Sequence, residues 1–319
     1  MEKRELGKSG IWVSPMAFGS NVFGWTADEA TSFKLLDYFV DAGFNLVDTA
    51  DVYCRWVTGN GGESEAIIGK WLNKSKKREK LVIATKVGHT MGMGPKAEKG
   101  LAKEYIFRAV DASLKRLQTD YIDLYQSHQD DEATPIEETL EAYDILVKQG
   151  KVRAIGASNF SAPRLAESLK VSRKHNFPAY QTLQPLYNLY DRATYEKELA
   201  TLCVDKSIGV INYYALAAGF LTGKYRNEND LSKSPRGGRV KSSYFNERGL
   251  TILKAMDEVA KQYNATLAQI SLAWLLTRPA IAAPIASATS TTQLLELLKG
   301  VEIKLDTASI EKLNKASAQ

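Results

Sequence analysis

The chain holds 319 residues, 44% apolar and 25% charged, with a net charge of +5, an ordinary globular composition with room for two modest domains or one large barrel. Its apolar runs are short and broken by Asp, Lys or Gly, well under the length of a membrane span, so no membrane role is implied. Basic and acidic residues alternate, and the one dense cluster, Lys74-Ser75-Lys76-Lys77-Arg78, lacks interleaved aromatics, which reads as a solvated loop and not as a nucleic-acid surface.

The first residues, Met1-Glu2-Lys3-Arg4-Glu5, are charged and carry no secretory signal, which predicts a cytoplasmic protein. Cys54 and Cys203 lie far apart without metal-ligand spacing, which fits a reducing compartment and predicts no metal site.

In chain order, Lys3 to Val13, with Gly7 and Gly10 as turn residues, reads as a short hairpin. Strand-length apolar runs follow at Met16 to Phe18, Phe44 to Val47, Leu81 to Ala84, Tyr121 to Tyr125, Val152 to Ile155, Tyr180 to Leu183, Gly209 to Tyr213 and Ile281 to Ile285. Between them lie helical patterns. Thr26 to Glu29 reads as a capping box opening a helix with Phe33, Leu36 and Val40 on one side, stopped by Gly43. Thr134 and Glu137 form a second such box, with Pro135 in the first turn, Ile136, Leu140, Tyr143 and Leu146 on one face, and Gly150 past the end. Further helices are expected over Leu165 to Arg173, Glu247 to Tyr263 and Leu267 to Leu276, with His175 in a polar loop after the first of these. Asn229 to Ser243, rich in Ser, Gly, Lys and Arg, reads as a long loop. Strand and helix alternate throughout, with no low-complexity linker. That predicts an α/β fold, a single (β/α)8 TIM barrel with an N-terminal hairpin and extra helices, as one domain over residues 1–319.

In such a barrel the reactive groups sit at the C-terminal ends of strands. Polar residues that end apolar runs are Asp48, Lys86, His128, Asn159, Gln184 and Tyr213, with Tyr53 close behind Asp48. An acid, a base, an imidazole and a phenol would converge on one mouth. A phenol with an ordinary pKa of about 10 donates its proton readily if an ammonium stabilises the phenolate. Lys86 supplies that ammonium, expected to lower the pKa of Tyr53, and Asp48 balances its charge. His128 can hydrogen-bond a substrate oxygen.

The segment Asp48-Thr49-Ala50-Asp51-Val52-Tyr53 resembles the Asp-Thr-Ala-x-x-Tyr signature of the aldo-keto reductase superfamily. Ile83-Ala84-Thr85-Lys86, Asp123 to His128, the run Gly150-Lys151-Val152-Arg153-Ala154-Ile155-Gly156-Ala157-Ser158-Asn159 and Gln184-Pro185-Leu186-Tyr187-Asn188 resemble its later motifs in the same order. The likeness runs from about Arg4 to near the C-terminus and is nearest the branch related to potassium-channel beta subunits. It implies a barrel that reduces a small carbonyl compound with a nicotinamide dinucleotide, bound without the Gly-x-Gly-x-x-Gly fingerprint that this sequence lacks. The resemblance places a catalytic tetrad on Asp48, Tyr53, Lys86 and His128. Ser158, Asn159 and Gln184 would bond the nicotinamide amide, Tyr213 would stack on its ring, and Gly19 and Ser20 would line its far side.

The same resemblance makes Leu216 to Tyr225, with Leu216 and Gly219, a pyrophosphate loop whose backbone amides face the phosphates. After the last strand the pattern departs from many members. Pro284 to Leu298 has no basic residue, and Leu297 stands where an adenine-binding Asn is common. Thr289, Gln293 and Glu296 would serve there instead, with Lys224 and Arg239 supplying charge. Those cations favour NADP(H) over NAD(H).

Trp25, Arg55, Trp56 and His89 are candidates for the substrate wall, and the segment Arg55 to Gly62 is long enough to narrow the pocket. Two alternatives stand beside the reductase: a redox-sensing interaction subunit with slow turnover, and an isomerase or aldolase using Lys86 as a Schiff-base amine. Substrate identity and oligomeric state are not written in the sequence.

Overall fold

The expected runs become parallel strands: β3 (Ala17–Gly19), β4 (Leu46–Asp48), β5 (Val82–Val87), β6 (Ile122–Ser127), β7 (Val152–Ser158), β8 (Thr182–Gln184), β9 (Gly209–Val210) and β10 (Ile285–Ala286). These are seen in a computed structural model that describes residues 1–94 and 98–318. Neighbours in the eight-stranded sheet follow the order β10-β3-β4-β5-β6-β7-β8-β9. The last strand is led back to the first. Val210 N donates to Ala280 O at 2.7 Å, Ala282 N to Val210 O at 2.8 Å and Ile285 N to Asn212 O at 2.9 Å, which closes the barrel.

The register sorts side chains by parity. Leu46 pairs Val82, Ala84 pairs Leu124 and Leu124 pairs Ala154, and these residues form one buried apolar cluster with Ala17 and Ile211 inside the barrel. The hairpin of β1 (Arg4–Glu5) and β2 (Trp12–Val13) contributes Leu6 and Val13 to that same cluster. It therefore plugs the barrel floor, held there by Arg4 Nη1 donating to Ile281 O at 2.6 Å. The other parity, Phe18, Val47, Ile83, Tyr125, Ile155 and Leu183, packs outward in the larger core shared with the helices. A slip of one residue would exchange the two sets, so burial on both faces fixes the register.

Two residues further along, the inward positions turn polar. Gly19 pairs Asp48, Lys86 pairs Gln126, Gln126 pairs Gly156 and Ser158 pairs Gln184. The strands are thus apolar inside at the floor and polar inside at their C-terminal ends, which is where this architecture carries chemistry.

Several local expectations are corrected. The helix Glu29–Asp41 is capped by Asp28, whose carboxylate accepts from Thr31 N at 2.8 Å. Thr26 is held instead in the turn before it, its amide donating to Val22 O at 3.0 Å. The helix Ile136–Lys148 has no side-chain cap, because Thr134 Oγ1 donates to Asp131 Oδ2 at 2.6 Å, so the second capping box is absent as well. The segment after β9 is no plain loop: it carries a 3-10 turn (Glu228–Lys233) and a short helix (Gly237–Ser243). His175 ends the helix Ala162–His175 and stacks on Phe177 at 5.4 Å. In the basic cluster, Arg78 pairs the buried Asp123 at 2.7 Å, so that stretch is only partly solvated.

Leu124 sits at the centre of the barrel-floor cluster, fully buried. Leu124→Ala should cost about 2–5 kcal/mol in urea unfolding, as transfer and cavity terms add. A cost near zero would mean that the floor is loosely packed.

Candidate active site

Asp48 ends β4, Lys86 lies one residue from the end of β5, and Tyr53 rides the loop after β4. The three meet. Lys86 Nζ donates to Asp48 Oδ2 at 2.8 Å, to Thr49 O at 2.6 Å and to Tyr53 OH at 3.0 Å. Tyr53 OH in turn donates to Asp48 Oδ2 at 3.2 Å. All three protons of the ammonium are engaged, and the Lys86 and Asp48 side chains are only 0% and 1% exposed. The residue after Tyr53 fixes the loop: Cys54, at φ 71°, donates its Sγ–H to Phe23 O at 2.8 Å, and burial pushes that thiol up to about 12.

The same web continues across the mouth. Gln184 Nε2 donates to Asp48 Oδ1 at 2.8 Å, and Ser158 Oγ to Gln184 O at 2.8 Å. Asn159, at φ 58°, donates from Nδ2 to His128 O at 2.9 Å and accepts from Tyr213 OH at 2.9 Å. His128 follows β6 and is spliced to β5 by its amide, which donates to Val87 O at 2.8 Å. Among the described residues its Nδ1 is buried without a partner, which leaves Nε2 as the ring nitrogen able to serve the cavity.

Charge is arranged differently from the sequence expectation. Burial, and then the Asp48 carboxylate beside the hydroxyl, hold the Tyr53 pKa well above the ordinary phenol value. Lys86 does not lower it, because Asp48 neutralises the ammonium, which burial itself pulls down. The phenol is thus held protonated. Burial, the Lys86 charge and the His89 ring push His128 well below the ordinary imidazole range. His89 is lowered by burial and by Lys86. Both imidazoles are therefore neutral at neutral pH.

A cavity of about 860 Å³ opens over Tyr53. Asp48, His128, Gly19, Ser158, Asn159, Gln184 and Tyr213 line it, as do Leu216, Gly219, Lys224, Arg239, Thr289, Gln293 and Glu296. At Gly19 a Cβ would come within 2.7 Å of Ser287 Oγ and 2.8 Å of Ile285 Cγ2, so any larger residue would have to displace those side chains. Trp25, Trp56 and His89 also face the cavity.

Two candidates lie elsewhere. Ser20 turns its Oγ to Asp48 O at 2.8 Å and to Ser64 Oγ at 2.8 Å, because the chain enters a 3-10 turn after β3. Arg55 is drawn away to Gly92 O, to which its Nε donates at 2.8 Å, clasping two loops of the rim. In the expected phosphate loop, Ala217, Ala218 and Gly219 take left-handed φ, yet the amides of Ala217 and Gly219 donate to Tyr214 O and Leu216 O within the turn.

Sequence reasoning missed Arg236, which lines the cavity with its guanidinium 5.5 Å from the Trp25 ring. The signal was the basic composition of that segment. It also missed Asp51, which is buried with neither carboxyl oxygen hydrogen-bonded among the described residues. Burial and the nearby Glu65 push Asp51 well above the carboxylate range, against the pull of Arg116. No sequence signal marks it, because long-range packing is what removes its water.

The chain matches the Aldo/keto reductase family over residues 15–318. It belongs to that family. It is therefore an oxidoreductase of the aldo/keto reductase type, and its closed barrel is the fold that membership implies. Similar proteins span nearly the whole chain. The uncharacterized oxidoreductase YrpG of Bacillus subtilis is 36% identical over 318 residues, 98% of this chain and 95% of that one. A probable voltage-gated potassium channel subunit beta of Arabidopsis thaliana is 32% identical over 95% of this chain and 92% of its own. Protein tas of Escherichia coli is 31% identical over 96% of this chain and 94% of its own. Among the described residues no helix is long and apolar enough to cross a membrane.

Asp48→Asn and Lys86→Met each leave one buried charge without its counterion, so each should cost about 3–5 kcal/mol in urea unfolding. The double variant should cost less than the sum by about 1–3 kcal/mol. Strict additivity would show that the pair is not coupled.

Asp51 has a raised folded-state pKa, so the stability linked to it is full below the unfolded value of about 4 and drains as pH rises toward the folded value. Asp51→Asn should therefore gain on the wild type as pH rises above about 4 toward the folded value, measured by the shift in thermal midpoint. A difference that stays flat over that range would contradict the buried neutral acid.

Proposed function

We propose that this chain, acting as one domain over residues 1–319, reduces an aldehyde or ketone to an alcohol with NADP(H), and that Tyr53 delivers the proton. The observation that carries the reading is the Tyr53 hydroxyl held between Lys86 Nζ and Asp48 Oδ2 on the wall of a large cavity.

The residues present suit a nicotinamide dinucleotide. Lys224, Arg236 and Arg239 line the cavity and have no carboxylate partner among the described residues, which is a demand for anions such as phosphates. Ser158, Asn159 and Gln184 cluster near Asp48 with the polar atoms that a carboxamide needs, and Tyr213, whose hydroxyl donates to Asn159 Oδ1 at 2.9 Å, lines the cavity beside them. When bound, the cofactor supplies the hydride that reduces the carbonyl carbon.

The chain's residues do the rest. His128, neutral and with its Nδ1 buried and unpartnered among the described residues, offers Nε2–H to the carbonyl oxygen and aims it at Tyr53. As negative charge grows on that oxygen, Tyr53 OH gives it a proton, forming the alcohol. Lys86 stabilises the phenolate left behind, and water restores its proton. Asp48 keeps Lys86 charged and placed. The engagement of all three Lys86 protons disfavours the Schiff-base alternative.

The test is loss of nicotinamide absorbance with a panel of aldehydes and ketones under NADPH and under NADH. NADPH-dependent turnover supports the reading, and no turnover with any carbonyl removes it. Arg236→Ala together with Arg239→Ala should weaken NADPH binding at least tenfold more than NADH binding by calorimetry, since a charge-assisted phosphate contact is worth about that factor. Equal losses would place neither guanidinium at the 2′-phosphate.

A further inference from the structure

Around the Tyr53 hydroxyl the cavity wall is a continuous series of rings. Trp25 meets Trp56 edge-on at 5.7 Å and 83°, and Trp56 lies 6.3 Å from Tyr53. Tyr53 meets His128 at 6.1 Å and 73°, and His128 meets His89 at 4.2 Å and 76°. Three of the four contacts are edge-to-face, so faces and edges remain open to a further ring in the same arrangement. Trp56 is 53% exposed at the rim, an indole left for something to cover.

What this wall lacks is as informative as what it has. The cations that line the cavity, Lys224, Lys233, Arg236 and Arg239, all come from the one segment after β9. The proposed function assigns the anion-seeking guanidinium over Trp25 to the cofactor. Among the described residues beside Tyr53, the imidazoles are neutral and the Asp48 carboxylate is fully engaged. A polyhydroxylated chain here would lose water from its hydroxyls and find few partners. With Arg236 taken by the cofactor, an anionic tail would find no further cation among the described residues of this wall. A flat ring would find edges and faces.

We propose that the substrate carries its carbonyl group on an aromatic ring, and that Trp25, Trp56 and His89 are the residues that select it. The ring lies against Trp56 and His89, and its carbonyl oxygen then falls between Tyr53 OH and His128. This rests on the reductase reading and narrows it to one substrate class.

The test compares benzaldehyde with cyclohexanecarbaldehyde, two aldehydes of similar size and opposite ring character, by the ratio of their kcat/KM values. Comparing that ratio across variants cancels their different intrinsic reactivity. Edge-to-face contacts are each worth roughly 2- to 10-fold. Trp56→Leu and His89→Leu, which keep an apolar side chain and remove the ring, should each lower the benzaldehyde preference by about that factor, chiefly through KM. Cofactor affinity by calorimetry should stay as in the wild type. Glyceraldehyde should be a poor substrate throughout. Turnover with a ratio that does not move in either variant, or with glyceraldehyde as good as benzaldehyde, overturns the aromatic assignment alone. Absence of turnover with every aldehyde overturns the reductase reading and this assignment together.

Discussion

One carboxylate oxygen, Asp48 Oδ2, accepts from both the Lys86 ammonium and the Tyr53 hydroxyl, and these two are themselves in contact. This three-way meeting of buried groups is the constraint around which the upper half of the barrel is built. An ammonium with no exposure is tolerable only with a carboxylate beside it and with its other protons engaged. Thr49 O and Tyr53 OH meet that second requirement. The register of β4 and β5 sets Asp48 opposite Ala84 and so puts Lys86 on the same inward face, one inward position further along, and the apolar floor beneath them keeps water from entering below. Had the register slipped by one residue, Val47 and Val87 would face the cavity and the pair would be turned into the helical shell.

The arrangement also sets the resting protonation state. With Lys86 neutralised by Asp48, the phenol feels burial and a carboxylate more than it feels a cation, and keeps its proton. That is the form an acid needs before it acts. In the proposed reduction the ammonium becomes important only when the phenolate forms, because it is then the nearest positive charge. Burial first, and Lys86 second, keeps His128 and His89 neutral, so in the proposed reaction that side of the mouth offers hydrogen bonds without adding charge. Asp51 extends the theme behind the strands as a second buried group that keeps its proton.

Much of this was legible in the residues. A polar side chain ending an apolar run is a strong signal, and Asp48, His128, Gln184 and Tyr213 all line one cavity that such runs converge upon, with Lys86 buried behind Tyr53 and Asp48. The alternation of strands and helices predicted the barrel because each crossover helix needs a parallel strand to cover. What failed were competitions between neighbours. Thr26 lost the helix start to Asp28, its amide being held by Val22 O, and the Thr134 hydroxyl turned to Asp131, local partners that a pattern of types does not rank. Ser20 and Arg55 were misplaced because Ser64 and Gly92, remote in sequence, draw them away. The pKa direction at Tyr53 was misjudged because it depends on which oxygen is shared, and spacing carries no such detail.

The central claim is that Tyr53 is the proton donor and not a ring that merely fills the wall. Tyr53→Phe keeps the ring and removes one oxygen. General acid catalysis is worth about 10²–10⁴-fold, so the kcat/KM for carbonyl reduction should fall by that order while calorimetric cofactor affinity stays as in the wild type. A Tyr53→Phe protein that reduces carbonyls as fast as the wild type would contradict the account, because the Asp48–Lys86 pair would then hold in place a group the chemistry does not use.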